Sequence, residues 1–196
     1  NENTLIPRPE TEELVEWILN SPTIKYPSPI NILDIGTGTG CIPISLKANL
    51  PQANVSAIDI SEKALEVAKR NAASNKVDID FIQTNILDVE NLNQHFDIIV
   101  SNPPYVRNLE KEEIKKNVLD YEPHLALFVE DTDALLFYRK IAQLALKNLS
   151  PNGLLFFEIN QYLGKETVEL LENLGFKNIE LKKDIYGNDR MIKCTI

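Results

Sequence analysis

At 196 residues, with 43% apolar and 25% charged content, the chain has the length and composition of one globular domain. Its formal net charge of −9 and pI near 4.8 exclude a broad grip on a phosphate backbone, which depends on Lys and Arg displacing counterions, and no basic run supplies a local patch. No stretch reaches the ~18 consecutive apolar residues of a membrane span, and no secretory signal opens the chain, so a cytoplasmic protein is expected. Cys41 and Cys194 lack the spacing of a disulfide framework or a zinc site, which points to a reducing compartment and no metal.

The chain opens at Asn1 without an initiator Met, as a piece of something longer would. After residues 5–9 (LIPRP), Leu14, Val15, Ile18 and Leu19 recur at helical spacing. Glu10, Glu12 and Glu13 crowd the start, where the helix dipole favours negative charge, and the helix is expected to stop near Ser21 and Pro22. A connector carrying Pro22, Pro27 and Pro29 leads to residues 30–35 (INILDI), a short apolar run of buried-strand type. A turn with Gly36, Gly38 and Gly40 follows at once, then a predicted helix over 42–49. Next come a strand over 55–59, a helix over 62–74 begun by Ser61 as N-cap, and a strand near 79–83. Residues 96–100 (FDIIV) form the fourth strand, 133–147 a helix and 153–158 (GLLFFE) the fifth strand. Beyond a helix over 163–174, segments 176–183 and 190–196 flank a Gly/Asn-containing turn and read as a closing hairpin. This alternation predicts an α/β fold, a mostly parallel open sheet with helices on both faces.

Glycines at 36, 38 and 40 directly after a strand let the backbone bend tightly and approach a ligand, while the next helix offers its N-terminal N–H groups. Such a turn also occurs as a plain strand-to-helix connection. Cys41 stands where a dinucleotide fingerprint wants Gly or Ala, which argues against a nicotinamide or flavin. Asp59 ends the second strand, where a carboxylate can accept hydrogen bonds from ribose hydroxyls, though with Ser61 nearby it can equally serve as a cap. Together the two features favour an adenosine ligand beyond the carboxyl ends of the strands.

Strand four runs into Ser101, Asn102, Pro103, Pro104, Tyr105 and Val106 at that same edge. Two successive prolines fix φ and remove two backbone donors, which leaves the carbonyls of Asn102 and Pro103 free to accept. An NH₂ group presents two donors to such a surface. The Asn102 side-chain oxygen and the Pro103 carbonyl could take both hydrogens and turn the nitrogen lone pair toward a methyl donor, with Tyr105 as a stacking face. An amide nitrogen is a poor nucleophile, so aimed dipoles matter more than a charged base. His95 and His124 are the only histidines, and both read as surface or loop residues.

With these residues in hand, the chain resembles the class I, Rossmann-like, seven-stranded S-adenosylmethionine methyltransferases, and among them the release factor glutamine methyltransferase family. Residues 5–12 (LIPRPETE), 33–41 (LDIGTGTGC), 101–105 (SNPPY) and 121–127 (YEPHLAL) match that family's blocks in order, the first and last being the more particular. The resemblance implies a leading helix and connector over 1–29, a Rossmann-like core over 30–196, and the absence of the family's N-terminal helical domain. It also implies methylation at N5 of the glutamine in the Gly-Gly-Gln segment of peptide chain release factors, with S-adenosylhomocysteine as product. By position, Gly36, Thr37, Gly38, Thr39 and Gly40 would cradle the methionine part, Asp59 would hold the ribose, and Asn85, Ile86 and Leu87 would flank the adenine. Asn85 departs from the Asp more common in the family. Asn102 would lie between cofactor and substrate, and Pro103, Pro104 and Tyr105 would complete the glutamine pocket. The expected partner is a release factor and the expected state a monomer, with no direct nucleic-acid or membrane contact.

Two other readings compete. An exocyclic-amine methyltransferase of the adenine-N6 type could use the same Asn-Pro-Pro-aromatic turn on nucleic acid, but would need a basic cleft to bind phosphates. A non-catalytic nucleotide-binding scaffold would have no use for an intact acceptor turn.

Overall fold

The computed structural model describes residues 3–25, 29–113 and 123–196. Helix α1 (Pro9–Leu19) begins as its sequence suggests, with Pro at its first position and Glu10 and Glu12 in the first turn. Its buried stripe of Thr11, Leu14 and Ile18 faces the sheet. Trp17 meets Phe156 edge-on, their ring centroids 5.5 Å apart. A 3₁₀ turn, Pro22–Lys25, occupies the start of the proline connector.

The sheet is then laid down by β1 (Asn31–Ile35), β2 (Asn54–Asp59), β3 (Asp80–Gln83) and β4 (Phe96–Ser101), with helices α2 (Cys41–Asn49) and α3 (Glu62–Ser74) between them. The Ser61 side chain caps α3 by accepting from the Ala64 N–H at 3.2 Å. Two-residue strands β5 (Val106–Arg107) and β6 (Phe128–Val129) pair with each other outside the main sheet, and a short helix α4 (His124–Leu127) precedes β6. The chain returns through α5 (Leu136–Asn148), β7 (Leu149–Glu158) and α6 (Gly164–Leu174), and ends in β8 (Lys177–Lys183) and β9 (Asp189–Thr195).

The seven main strands lie in the order β3-β2-β1-β4-β7-β9-β8. Pairings are parallel except those of β9, which runs antiparallel to both β7 and β8. The expected α/β class, the mostly parallel seven-stranded sheet and the terminal hairpin are therefore all present. Because successive side chains on a strand point to opposite faces, the central strands feed two cores. Leu33, Ile35, Ile99, Leu155 and Phe157 pack on one side with α5 and α6 residues such as Tyr138, Ile141 and Leu171. Ile32, Ile98, Val100, Leu154 and Phe156 pack on the other with Leu14 and Ile18 of α1 and Leu46 of α2.

Two boundaries differ from the sequence reading. The helix expected over 133–147 is preceded by a separate 3₁₀ turn at Asp131–Asp133 and begins only at Leu136. The acids of that turn bond outward: Asp133 takes both terminal guanidinium nitrogens of Arg139 at 2.8 and 2.9 Å, and Asp131 accepts the Leu109 N–H at 3.2 Å. Strand β7 starts four residues before the expected Gly153, because Leu149 already pairs with Phe96 before the register jumps to Leu154 opposite Ile98. The residues between form a bulge with Asn152 at φ 65°.

Candidate active site

Where the strand order reverses, between β1 and β4, two loops leave the carboxyl edge side by side. Register places Ile35 opposite Ser101, and the Ser101 hydroxyl donates to the Ile35 carbonyl at 2.6 Å, pinning the two strand ends together. The glycine turn and the Asn-Pro-Pro-Tyr turn start from this clasp. They approach so closely that a Cβ built on Gly36 would lie 4.0 Å from the Asn102 carbonyl oxygen.

The turn itself uses φ of +79°, +53° and +79° at Gly36, Gly38 and Gly40, values in the left-handed region. The Gly36 and Thr37 N–H groups both donate to the Ile58 carbonyl at 2.8 and 3.0 Å. Asp59 accepts the Gly38 N–H on one oxygen at 2.8 Å and the Ser61 N–H on the other at 2.9 Å. This carboxylate is therefore the cap that the sequence reading allowed, and it also lines the adjoining cavity, where each oxygen keeps a further acceptor site. Gly40 serves packing: a Cβ there would meet Ile44 Cδ1 at 3.0 Å and the Ala68 Cβ at 3.1 Å, between α2 and α3.

That cavity measures about 340 Å³, within the ~300–1,000 Å³ usual for cofactor clefts. Gly36, Ile58, Asp59, Asn85, Ile86 and Leu87 line one part of it, and Asn102, Pro103 and Pro104 another. Asn85 folds back on its own turn, accepting the Leu87 N–H at 3.2 Å and donating to Asp88 at 2.8 Å. A second cavity of about 100 Å³ lies alongside. Its walls include Arg8 and Thr11 from the N-terminal segment, Thr39 and Cys41, Tyr105 and Glu158. Leu5, Asn102, Pro103 and Ala126 line both cavities and so form the partition between them. Of the residues expected to hold a cofactor, Gly38, Thr37 and Gly40 line neither cavity and support the turn from within.

Sequence reasoning passed over two buried carboxylates. Asp34 on β1 is fully buried, and its carboxyl and the Thr37 hydroxyl have no hydrogen-bonding group to turn to beyond each other. Burial pushes its pKa up to about 7, Thr37 nearby favours the charged form, and the Asp59 charge adds to the rise. Glu158, at the end of β7, is 1% exposed. It accepts from the Thr11 hydroxyl at 2.7 Å and from the Tyr105 hydroxyl at 3.3 Å. Burial raises its pKa, while these donors and Arg190 pull it back. The available signal was a single acid within an otherwise apolar strand, too common a pattern to single out alone. Burial also lifts the Cys41 thiol to about 11 and the Tyr105 hydroxyl well above its ordinary value, so both stay protonated. His95 is exposed, as expected, and the side chain of His124 and residues 121 and 122 lie outside the described part.

The chain matches the Methyltransferase small domain family over residues 18–124. It is 73% identical to the release factor glutamine methyltransferase of Flavobacterium psychrophilum over 100% of its own length and 69% of that protein's. The chain belongs to the release factor glutamine methyltransferase family. The Bacteroides thetaiotaomicron member is 47% identical across 97% of this chain and 68% of its own. Among solved structures, a methyltransferase from Pyrococcus furiosus shares the fold, with a TM-score of 0.69 at 18% identity, covering 100% of this chain and 87% of that one.

As a member of this family the chain is an S-adenosylmethionine-dependent methyltransferase with a Rossmann-like fold. The site fits that cofactor on its own terms. Asp59 on the cavity wall suits a diol, the largely apolar remainder suits a flat base, and the buried carboxyl of Asp34, on the strand that runs into the glycine turn though on neither cavity wall, suits a cationic ammonium. Among the described residues no cluster of His, Cys, Asp or Glu could hold a metal ion, and no helix is long and apolar enough to cross a membrane.

Proposed function

We propose that this chain methylates the side-chain amide nitrogen of a glutamine in a peptide chain release factor, the glutamine of its Gly-Gly-Gln segment. One observation carries the reading: Asn102 and Pro103 line both the cofactor-sized cavity and the small one. A group gripped by these two residues from the small side faces whatever occupies the large side.

In this reading Gly36 allows close approach, while Thr37, Gly38, Thr39 and Gly40 shape the turn around the methionine part of S-adenosylmethionine. Asp34 answers its ammonium, Asp59 takes the ribose, and Asn85, Ile86 and Leu87 border the adenine. The bound cofactor supplies an electrophilic methyl group on a sulfonium. The Asn102 side-chain oxygen and the Pro103 carbonyl each accept one amide hydrogen, which orients the nitrogen and relieves positive charge as it grows there. Pro104 stiffens the corner, and Tyr105 covers the flat face of the carboxamide. The leading residues wall the acceptor side through Leu5, Arg8 and Thr11. A release-factor substrate places the reaction in the cytoplasm, and a site built from one chain is consistent with a monomer.

The test is transfer of label from methyl-tritiated S-adenosylmethionine to purified release factor, to the same factor with its Gly-Gly-Gln glutamine replaced, and to unmethylated DNA and RNA. Label confined to the intact release factor is expected. Label in nucleic acid instead would favour the exocyclic-amine reading, and cofactor binding without any label would favour a scaffold.

A further inference from the structure

The acceptor turn is held by groups that wall the small cavity beside it, Thr11 and Glu158 among them, which take no reacting role in the proposed transfer. Tyr105 is fastened at both ends: its hydroxyl donates to Glu158 at 3.3 Å, and its carbonyl accepts from the Asn160 amide at 2.9 Å. Glu158 is the last residue of β7, the strand next to β4 in the sheet, and Asn160 lies two residues beyond it. Neither is itself loose. The second oxygen of Glu158 is taken by the Thr11 hydroxyl at 2.7 Å, and the Asn160 amide also donates to Glu110 at 2.9 Å. Glu110 in turn accepts the Arg107 N–H at 2.9 Å and pairs with its guanidinium. The Tyr138 hydroxyl reaches the Glu158 carbonyl at 3.4 Å.

We propose that Thr11 and Glu158 form a positioning relay that fixes the ring of Tyr105 against the acceptor pocket, so that helix α1 sets the shape of a site to which it contributes no reacting group. The inference rests on the reading of that cavity as the carboxamide pocket. A Tyr ring beside a cavity of about 100 Å³ has to stay within a few tenths of an ångström to hold a planar group in line, since misplacement near 1 Å can cost 10²-fold in rate. A hydrogen-bonded clamp serves this better than packing alone because such bonds are directional: the short Thr11 bond at 2.7 Å fixes the carboxyl group, and the longer Tyr105 bond at 3.3 Å then limits where the ring can sit. Among the described residues, the other charged and titratable groups facing Glu158 are Glu10 on α1, Cys41 at the start of α2, and Arg190 on β9. Arg190 is fixed by Asp184, the Ile159 carbonyl and Gln161, so it supports the clamp from the far side.

The relay predicts coupling between residues that the clamp joins only through Glu158. Methyl transfer to release factor and S-adenosylmethionine affinity are measured for Thr11→Val, Tyr105→Phe, Glu158→Gln and the double variants, with Thr11→Ser as the variant that keeps the hydroxyl. Each clamp-breaking change is expected to lower kcat about 10-fold or more at near-constant cofactor affinity. Thr11→Val should have little further effect once Tyr105→Phe is present, and Thr11→Ser should retain most of the rate. Additive losses in the double variant, or a Thr11→Ser rate as low as that of Thr11→Val, would overturn the relay. If Glu158→Gln does not fold, the Thr11 and Tyr105 cycle decides alone. A wild-type protein that binds cofactor but labels no release factor would instead sink the assignment of the pocket.

Discussion

Replacing Asp34 by Asn tests the link between cofactor binding and the buried carboxylate beneath the glycine turn. Raising a carboxyl from 3.8 to about 7 corresponds to ~4 kcal/mol against its charged form. The native state thus retains a proton that the unfolded chain releases, so the stabilising contribution is complete below pH ~4 and is lost as pH rises through ~7. A cation bound beside Asp34 favours the ionised form, which makes binding compete with that proton. Between pH 5.5 and 7.0 the ionised fraction grows roughly 15-fold, and S-adenosylmethionine affinity is expected to rise by a similar factor in the wild type. In Asp34→Asn the rise should vanish, and affinity at pH 7 should drop about 10- to 150-fold, the worth of a charge-assisted hydrogen bond of ~1.5–3 kcal/mol. The ligand-free variant should nevertheless be more stable than wild type at pH 8, by about 1–3 kcal/mol once the cost of an unsatisfied buried amide is set against the relief of charge. Calorimetric titrations at the two pH values, with urea melts at pH 5 and pH 8, measure all three effects. A flat pH profile in the wild type, or equal affinity in the variant, would refute the reasoning.

Asn102→Ala removes one acceptor from the partition and is expected to cut kcat by ~10²–10³-fold, the usual loss for one aimed dipole, with cofactor affinity nearly unchanged; single-turnover assays alongside titration would show this. Asp59→Ala should weaken cofactor binding at least 10-fold and also cost about 1–3 kcal/mol in a urea melt, because the carboxylate anchors the Gly38 and Ser61 N–H groups. Loss of stability without loss of affinity would leave Asp59 as a cap alone. Gly40→Ala should cost about 2–4 kcal/mol through left-handed strain and overpacking between α2 and α3. Gly38→Ala, whose Cβ would meet nothing within 4 Å, should lose only about 1–2 kcal/mol from the backbone. Equal losses at the two glycines in a thermal melt would show that packing at Gly40 is not the constraint.

The strand and helix order was legible because the buried strands read as short apolar runs, one of them broken off by the glycine turn, while α1 shows an apolar stripe at helical spacing and α3 opens on a Ser61 cap. Boundaries were less so where side chains decided them from a distance, as at Asp133 with Arg139 and at the bulge before Gly153. Asn102, Pro103, Pro104 and Tyr105 are consecutive in the chain, so a local motif was enough to bring them forward as candidates, and the structure sets three of them, Asn102, Pro103 and Tyr105, on the wall of the small cavity. For Asp59 the cap on Ser61 was legible because it is local, whereas the bond to the Gly38 N–H forms only after β1 and β2 pair.

The sequence by itself determined the α/β alternation, the glycine turn, the acid that ends β2 and the stiff proline corner after β4, because each depends on the covalent properties of residues close together along the chain. Tertiary structure alone decided that the two turns adjoin across β1 and β4, that β9 slips between β7 and β8, and that two solitary strand acids are buried. Burial and through-space hydrogen bonds join residues as far apart as Thr11 and Glu158. Such pairings are set by how elements pack, and no local pattern records them.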